Sequence, residues 1–378
     1  MKRTAFAIAL ACLAAPAAAQ LAVSANDNKQ INTAGVGSVV RDAAPDTVSV
    51  IDMGVFPPRL LGEVQAPNSV VGPPSSVAVA PDESFALVSS AMKKDPADPS
   101  KLVPDNRLSV IDLKARKLVQ TVEAGAGAAG VAINRAGTLA LVANRNEGTV
   151  SVFTIQGMTL SPAGKIALGK PDSGPSTVKF IGDGRRALVT RDGDSTLTLL
   201  AVEGAKVTDT NRSFFAGIRP YGADVTADGR YAMTANIGRG QGDHDTVSLI
   251  DLSMNPPRTV DTITVGPTPE GITISPNGRY AAVVIHNGSA FPPSSPFYNA
   301  YGKVVLVGIS GGRLQRLSEE RIGRWSQGAA FSPDSATLLV QNMVEKDIQV
   351  FRIELDQLRD TLHRIKLSGG GAGIGTAR

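Results

Sequence analysis

The sequence predicts an all-β chain folded as a seven-bladed β-propeller of four-stranded antiparallel blades, with both chain ends sharing blade one. Three observations predict it. A strand–turn–strand phrase occurs six times, at intervals of about 40 to 50 residues. An alternating strand follows each of these hairpins, and a seventh copy of that strand stands first in the chain with no complete hairpin ahead of it.

The first hairpin runs from Val77 to Val88 around Pro81-Asp82. The others run from Val131 to Val142 (turn Asn134 to Gly137), Val178 to Val189 (Gly182-Asp183-Gly184) and Ala223 to Thr234 (Ala227-Asp228-Gly229). The last two are Ile272 to Val283 (Pro276-Asn277-Gly278) and Ala329 to Val340 (Pro333-Asp334-Ser335). Asp-Gly and Asn-Gly suit tight turns because these residues tolerate positive φ. The strand that follows often ends in Ile-Asp: Arg107 to Leu113, Thr149 to Ile155, Thr196 to Val202, Thr246 to Leu252, Lys303 to Ile309 and Asp347 to Ile353. Thr47 to Asp52 is the seventh copy.

Six hairpins against seven outer strands imply one shared blade. Ser38 to Asp42 parallels Leu188 to Asp192 and supplies a second strand, and Ser368 to Ala377 supplies the missing innermost one. Such closure removes the exposed sheet edges of an open array. The blades are then 37–67 with about 368–378, followed by 75–124, 128–169, 175–216, 219–266, 269–323 and 326–367, so the propeller domain spans 37–378. Residues 21–36 read as a polar, flexible lead.

The start of the chain reads as a Sec-type signal peptide over residues 1–20. Lys2 and Arg3 precede an apolar run, Thr4 to Ala15, too short to span a bilayer, and Ala17-Ala18-Ala19 offers the small residues needed for cleavage. The expected location is the periplasm, the cell surface or the medium, with a lipoprotein anchored at Cys12 as the alternative. Cys12 is the only cysteine, so the mature chain has no disulfide, thiol catalyst, zinc–cysteine site or covalently attached c-type haem. No later stretch is long and apolar enough for a membrane helix. Without Lys2 and Arg3 the formal charge falls from +4 to +2, and no dense basic run with interleaved aromatics supports nucleic-acid binding. A monomer is expected.

Several phrases carry a resemblance: Leu141-Val142-Ala143-Asn144, Thr234-Ala235-Asn236, Ser275 to Tyr280 (Ser-Pro-Asn-Gly-Arg-Tyr) and Asp245 to Asp251 (Asp-Thr-Val-Ser-Leu-Ile-Asp). They are similar to the YVTN-repeat β-propellers over nearly the whole mature chain. The resemblance implies a propeller fold and relatives among envelope and surface-layer proteins, lactonase-like proteins and non-cofactor subunits of quinoprotein amine dehydrogenases. The repeat residues build blades, so the resemblance implies far less about activity.

Geometry narrows the search for a site. Each inner hairpin puts its turn at one end, so residues at the other end share a face around the channel. The residues leading into the first strand are Ser75, Ala129, Thr177, Tyr221, Glu270 and Gln327; those leaving the second are Ser89, Asn144, Arg191, Asn236, His286 and Asn342. Three long loops reach this face, Met92 to Asp105, Ile237 to Asp245 and Asn287 to Gly302, and loops longer than a repeat requires often carry function. The candidate binding funnel is therefore Asn144, Arg191, Arg219, Tyr221, Asn236, Trp325, Gln327 and Asn342, with Glu270 and His286 as candidate acid–base residues.

Each candidate has a structural alternative. Asn144, Asn236 and Asn342 recur at one repeat position, as strand-capping residues do. His286 could be a hydrogen-bonded wall residue, Asp243-His244-Asp245 a solvated loop rather than a cation site, and Trp325 a plug between blades rather than a stacking platform. Arg191 and Arg219 suit a carboxylate or phosphate partner.

Three functions follow from these residues. With no Gly-x-Ser-x-Gly, His-Glu-x-x-His, Cys-x-x-Cys-His or phosphate loop, the first is a non-catalytic binding or scaffold protein for a small molecule, a glycan or an envelope protein. The second is a lactonase-like hydrolase in which Glu270, Asn144, Asn236 and Asn342 offer oxygen ligands to Ca²⁺ and His286 moves the proton. The third is a scaffold subunit of a periplasmic quinoprotein or cytochrome redox system.

Overall fold

The computed structural model describes residues 20–378 and holds seven four-stranded antiparallel sheets. The signal-peptide reading and the Cys12 alternative fall on residues 1–19, outside the described residues. Innermost strands neighbour one another in turn around the ring, and that of blade one, Gly370–Thr376, lies between those of blades seven and two. Blades two to seven each run outward in chain order, with innermost strands Val77–Val79, Ala128–Ile133, Pro175–Ile181, Pro220–Val225, Pro269–Ile274 and Ala329–Phe331. No helix among the described residues is long and apolar enough to cross a membrane.

Both faces of each blade are covered by neighbouring blades, so the inner strands read as nearly continuous apolar runs, such as Leu139–Asn144 and Tyr280–Ile285, all buried. The core is accordingly distributed, one apolar cluster per junction. Blades one and two share Val23, Val48, Val79 and Val88, and blades seven and one close over Ala22, Ile51, Leu339, Ile348 and Ile374.

Closure of the ring by the two termini stands, but with a different N-terminal strand. Leu21–Asp27 pairs with Gly370–Thr376 on one side and with Thr47–Asp52 on the other. Residues 21–36 are therefore no flexible lead. Ser38 to Asp42 does not enter blade one; Val36–Val39 instead pairs with Gln30–Thr33 in a separate exposed hairpin. The physical reason lies in the side chains. Ala22, Val23 and Ala25 supply apolar surface for both flanking blades, and the Asn26 amide donates to Thr47 Oγ1 (3.1 Å) and Ser49 Oγ (2.8 Å).

Neighbouring innermost strands pack closely against one another. A Cβ on Gly222 would collide with the Glu270 carbonyl oxygen, and one on Gly271 with that of Gln327. Gly130, Gly328 and Gly373 hold the same position in three other blades. Gly271→Ala is expected to destabilise the fold by about 1–3 kcal/mol, because the obstruction is backbone that cannot swing aside. Denaturant unfolding of the variant checks this.

Candidate functional site

Two backbone devices aim side chains at the loop-bearing end of the channel. In blades three to six the register of the innermost strand slips just inside its start, a bulge that re-aims the residues there. Just before each innermost strand stands a residue in the left-handed region: Gly127, Gly174, Arg219 (φ 55°) and Thr268 (φ 58°), with Trp325 (φ 48°) at the same place in blade seven. Glycine adopts this conformation freely, whereas Arg219 and Trp325 hold it against a steric penalty. Strain retained at a channel mouth is a pointer to function.

The register also separates two sets that the sequence merges. Asn144, Arg191, Asn236 and Asn342 sit opposite the first or second residue of the third strand, and in blade six that position is Ile285. His286 comes one residue later, at the position of Arg145 and Asp192. Those two residues escaped the sequence reading.

The structure brings together residues of blades three to seven. Asp192, buried, takes the Arg145 guanidinium on both oxygens (3.2 and 2.7 Å), Arg219 at 3.1 Å and the Ser176 hydroxyl at 2.6 Å. Arg145 also lies over the Tyr221 ring, 5.7 Å from its centroid. Beside them, His286 Nε2 stands 3.5 Å from Glu270 Oε2 and 3.3 Å from the Gln327 amide nitrogen. Gln327 is fully buried, and its Oε1 has no partner.

Burial dominates the electrostatics here. It pushes the Glu270 carboxyl above its usual range, while His286, Arg145 and Arg219 pull it partly back. Burial, followed by the Glu270 charge, raises the Tyr221 phenol as well. For Arg145 burial opposes the charge, but Tyr221, Asp192 and Glu270 more than offset it, so the cation is held firmly. Arg145 and Arg219 remain about one-third exposed at the mouth, 32 % and 39 %, whereas the side chains of Glu270 and His286 are mostly enclosed.

Other funnel candidates lie elsewhere. Asn144, Asn236 and Asn342 are buried inside blades three, five and seven, tying the second strand to the third. Asn144 donates to Thr149 and Ser151 and accepts from the Gly125 N–H; Asn342 accepts from the Gly323 N–H; Asn236 donates to Thr246 and Ser248. Arg191 fills the same position in blade four, bonded to Thr198 and paired with Asp194. Trp325 covers a small apolar cluster of Val70, Met343 and Ala372, a junction plug. The Asp245 carboxylate accepts the Thr268 N–H at 2.9 Å, closing its loop rather than facing a cation.

A Ca²⁺ site built from Glu270, Asn144, Asn236 and Asn342 does not fit. The three amides sit in separate blades with their oxygens already accepting hydrogen bonds. Among the described residues no group of three or more His, Asp, Glu or Cys gathers as a metal cluster would.

The rim is built by long-range contacts. The exposed hairpin Gln30–Val39 crosses to the loop of blade six, where Asn32 Nδ2 donates to the Ala290 carbonyl at 3.1 Å. In that loop Phe291 and Phe297 lie 6.3 Å apart, and Gly242 of the neighbouring loop rests on the Phe297 ring.

No family model and no curated protein matches the chain. Solved structures do. A structure provisionally assigned as a 6-phosphogluconolactonase from Bacteroides uniformis is 18 % identical and superposes with a TM-score of 0.72, over 95 % of this chain and 99 % of that one. The periplasmic gluconolactonase of Pseudomonas aeruginosa is 17 % identical with a TM-score of 0.67 over 95 % and 99 %. A hydrazine synthase chain of Kuenenia stuttgartiensis is 17 % identical with a TM-score of 0.62 over 81 % and 90 %. At such identities the likeness is one of fold.

Proposed function

We propose that this chain is an exported β-propeller that binds a small hydroxylated anion, of the sugar-acid class, at the loop-bearing mouth of its channel. The observation that carries the reading is the juxtaposition of two guanidiniums sharing one carboxylate, Arg145 and Arg219 on Asp192, with the Glu270–His286 pair. Arg145 and Arg219 keep part of their guanidiniums exposed at the rim, where a ligand carboxylate or phosphate can reach them. The orphaned Gln327 Oε1 is an acceptor suited to a ligand hydroxyl. Export is supported by the Lys2-Arg3, apolar-run and Ala17-Ala18-Ala19 pattern and by a mature sequence without cysteine. A periplasmic gluconolactonase among the fold neighbours is compatible with that compartment and ligand class, on likeness of fold alone.

Calorimetric titration with D-gluconate, 6-phosphogluconate and uncharged glucose tests the proposal. Saturable binding of the anions but not of glucose is expected, and absence of anion binding would end it.

The Glu270–His286 contact favours a second reading, hydrolysis of a sugar lactone at this same mouth. Glu270, its proton affinity raised by burial, would take a proton from water as the water oxygen bonds to the lactone carbonyl carbon. Arg145 or Arg219 would stabilise the oxyanion. The ring C–O bond then breaks and the proton passes to the leaving oxygen, through His286. Loss of glucono-δ-lactone, followed by pH-stat against the uncatalysed rate, decides between binding alone and turnover.

A further inference from the structure

We propose that the opposite end of the channel is a second binding site, for a small amphipathic carboxylate anchored by Lys179. A cavity of about 390 Å³ opens there among the hairpin turns, within the range of small-molecule sites. Gly222 and Gly271, next in sequence to Tyr221 and Glu270 of the acid–base cluster, line its inner end.

One register position per blade lines this cavity. It is small in four blades, Ala78, Ala132, Ala330 and Gly375, and is Thr273 in blade six, Lys179 in blade four and Asp224 in blade five. Asp224 is already fully matched. It accepts the N–H groups of Val225 (3.0 Å) and Ile274 (2.7 Å) and pairs with the Arg378 guanidinium, which itself donates to Thr273 Oγ1 and the Ile274 carbonyl. Lys179 is left over. Its ammonium is 3.9 Å from Asp224 Oδ1, beyond hydrogen-bond reach, in a side chain only 28 % exposed.

A lysine with this freedom normally extends its head into water. Here burial holds the ammonium below its ordinary proton affinity, and Arg378 adds to that against the pull of Asp224. An incoming carboxylate would supply the missing partner. The rest of the wall is mixed, polar at Arg135, Thr273, Ser275 and Arg378 but with a large apolar share from Val79, Ile133, Phe180, Ile272 and Phe331. That share favours a ligand with an apolar body behind its charge. Medium-chain and aromatic carboxylic acids have that form. A phosphate or polyol lacks the apolar part.

Isothermal titration with octanoate, phenylacetate and uncharged octanol tests the site. Saturable binding of at least one carboxylate is expected, at least tenfold weaker for octanol and at least tenfold weaker in Lys179→Met. Lys179→Arg should retain binding, and Lys179→Gln replaces the methionine variant should that one unfold. Binding of the sugar acids at the other mouth should be unchanged in all three, so failure here is distinguishable from failure there. The proposal is overturned if neither carboxylate binds, if octanol binds equally well, or if loss of the Lys179 charge leaves carboxylate affinity intact.

Discussion

Gln341→Ala is expected to lower the stability of the whole propeller by about 3 kcal/mol or more, measured by denaturant unfolding. Gln341 is fully buried at the junction where the ring closes. Its Nε2 donates to Ser24 Oγ (2.7 Å), the Gly373 carbonyl (3.0 Å) and the Ala25 carbonyl (3.3 Å), and its Oε1 accepts the Gly328 N–H (3.3 Å). One side chain of blade seven therefore holds both the first and the last strand of the described chain. Alanine would remove all of these bonds, leave backbone groups without partners where water cannot reach, and open a void. Removal of residues 370–378 should be worse, since it strips blade one of its innermost strand and uncovers Leu21–Asp27 along one edge. A propeller that opens at one junction exposes apolar surface on both flanking blades, so aggregation rather than reversible unfolding is the expected outcome for the truncation.

Under the proposed hydrolytic reading, Glu270→Gln is expected to lower lactone turnover by about 10²- to 10⁴-fold, and under either reading to make the protein more stable at neutral pH. The sign follows from the raised proton affinity of the buried carboxyl. An unfolded glutamate loses its proton near its ordinary value of about 4.5, whereas the folded one holds it to higher pH. Between those two values the native state binds more protons than the unfolded state, so stability falls as pH rises. Above the folded value the ionised carboxylate is a standing cost, which glutamine does not carry. Calorimetric melting should show the variant and the parent equal near pH 4 and the variant higher at pH 8. A variant that melts lower at pH 8 would mean that His286, Arg145 and Arg219 stabilise the carboxylate more than burial penalises it.

The blade count was legible because turn chemistry and strand alternation are local. The first strand was missed although Ala25-Asn26 repeats the endings Ala143-Asn144 and Ala235-Asn236, because Asn26, Asp27, Asn28 and Lys29 give the segment the look of a polar lead. Those polar groups find their partners in the folded blade, where Asp27 accepts the Val70 N–H and pairs with Lys29, and Lys29 also reaches Asp46. The recurring asparagines were conspicuous for the reason that makes them structural: in blades one, three, five and seven an amide at this position ties the second strand to the third. The acid–base cluster was half legible. Glu270, Tyr221 and Gln327 stand at the start of their innermost strands as expected, but Arg145 and Asp192 follow residues that dominate the repeat pattern, and only the register shows that His286 shares their position rather than that of Asn144. Contacts such as Asn32 to Ala290 have no local signature, because ring closure alone brings these segments together.

Arg219 offers the most direct test of the loop-bearing mouth as a ligand site. It holds a left-handed backbone where blades three and four place Gly127 and Gly174, and its guanidinium is exposed beside Asp192. Arg219→Gly relieves that strain and removes the charge together. Titration of 6-phosphogluconate into parent and variant, with melting of both, should show affinity reduced at least tenfold while stability stays within about 1 kcal/mol of the parent. Equal affinity in a correctly folded Arg219→Gly protein would contradict the assignment of this mouth as the binding site.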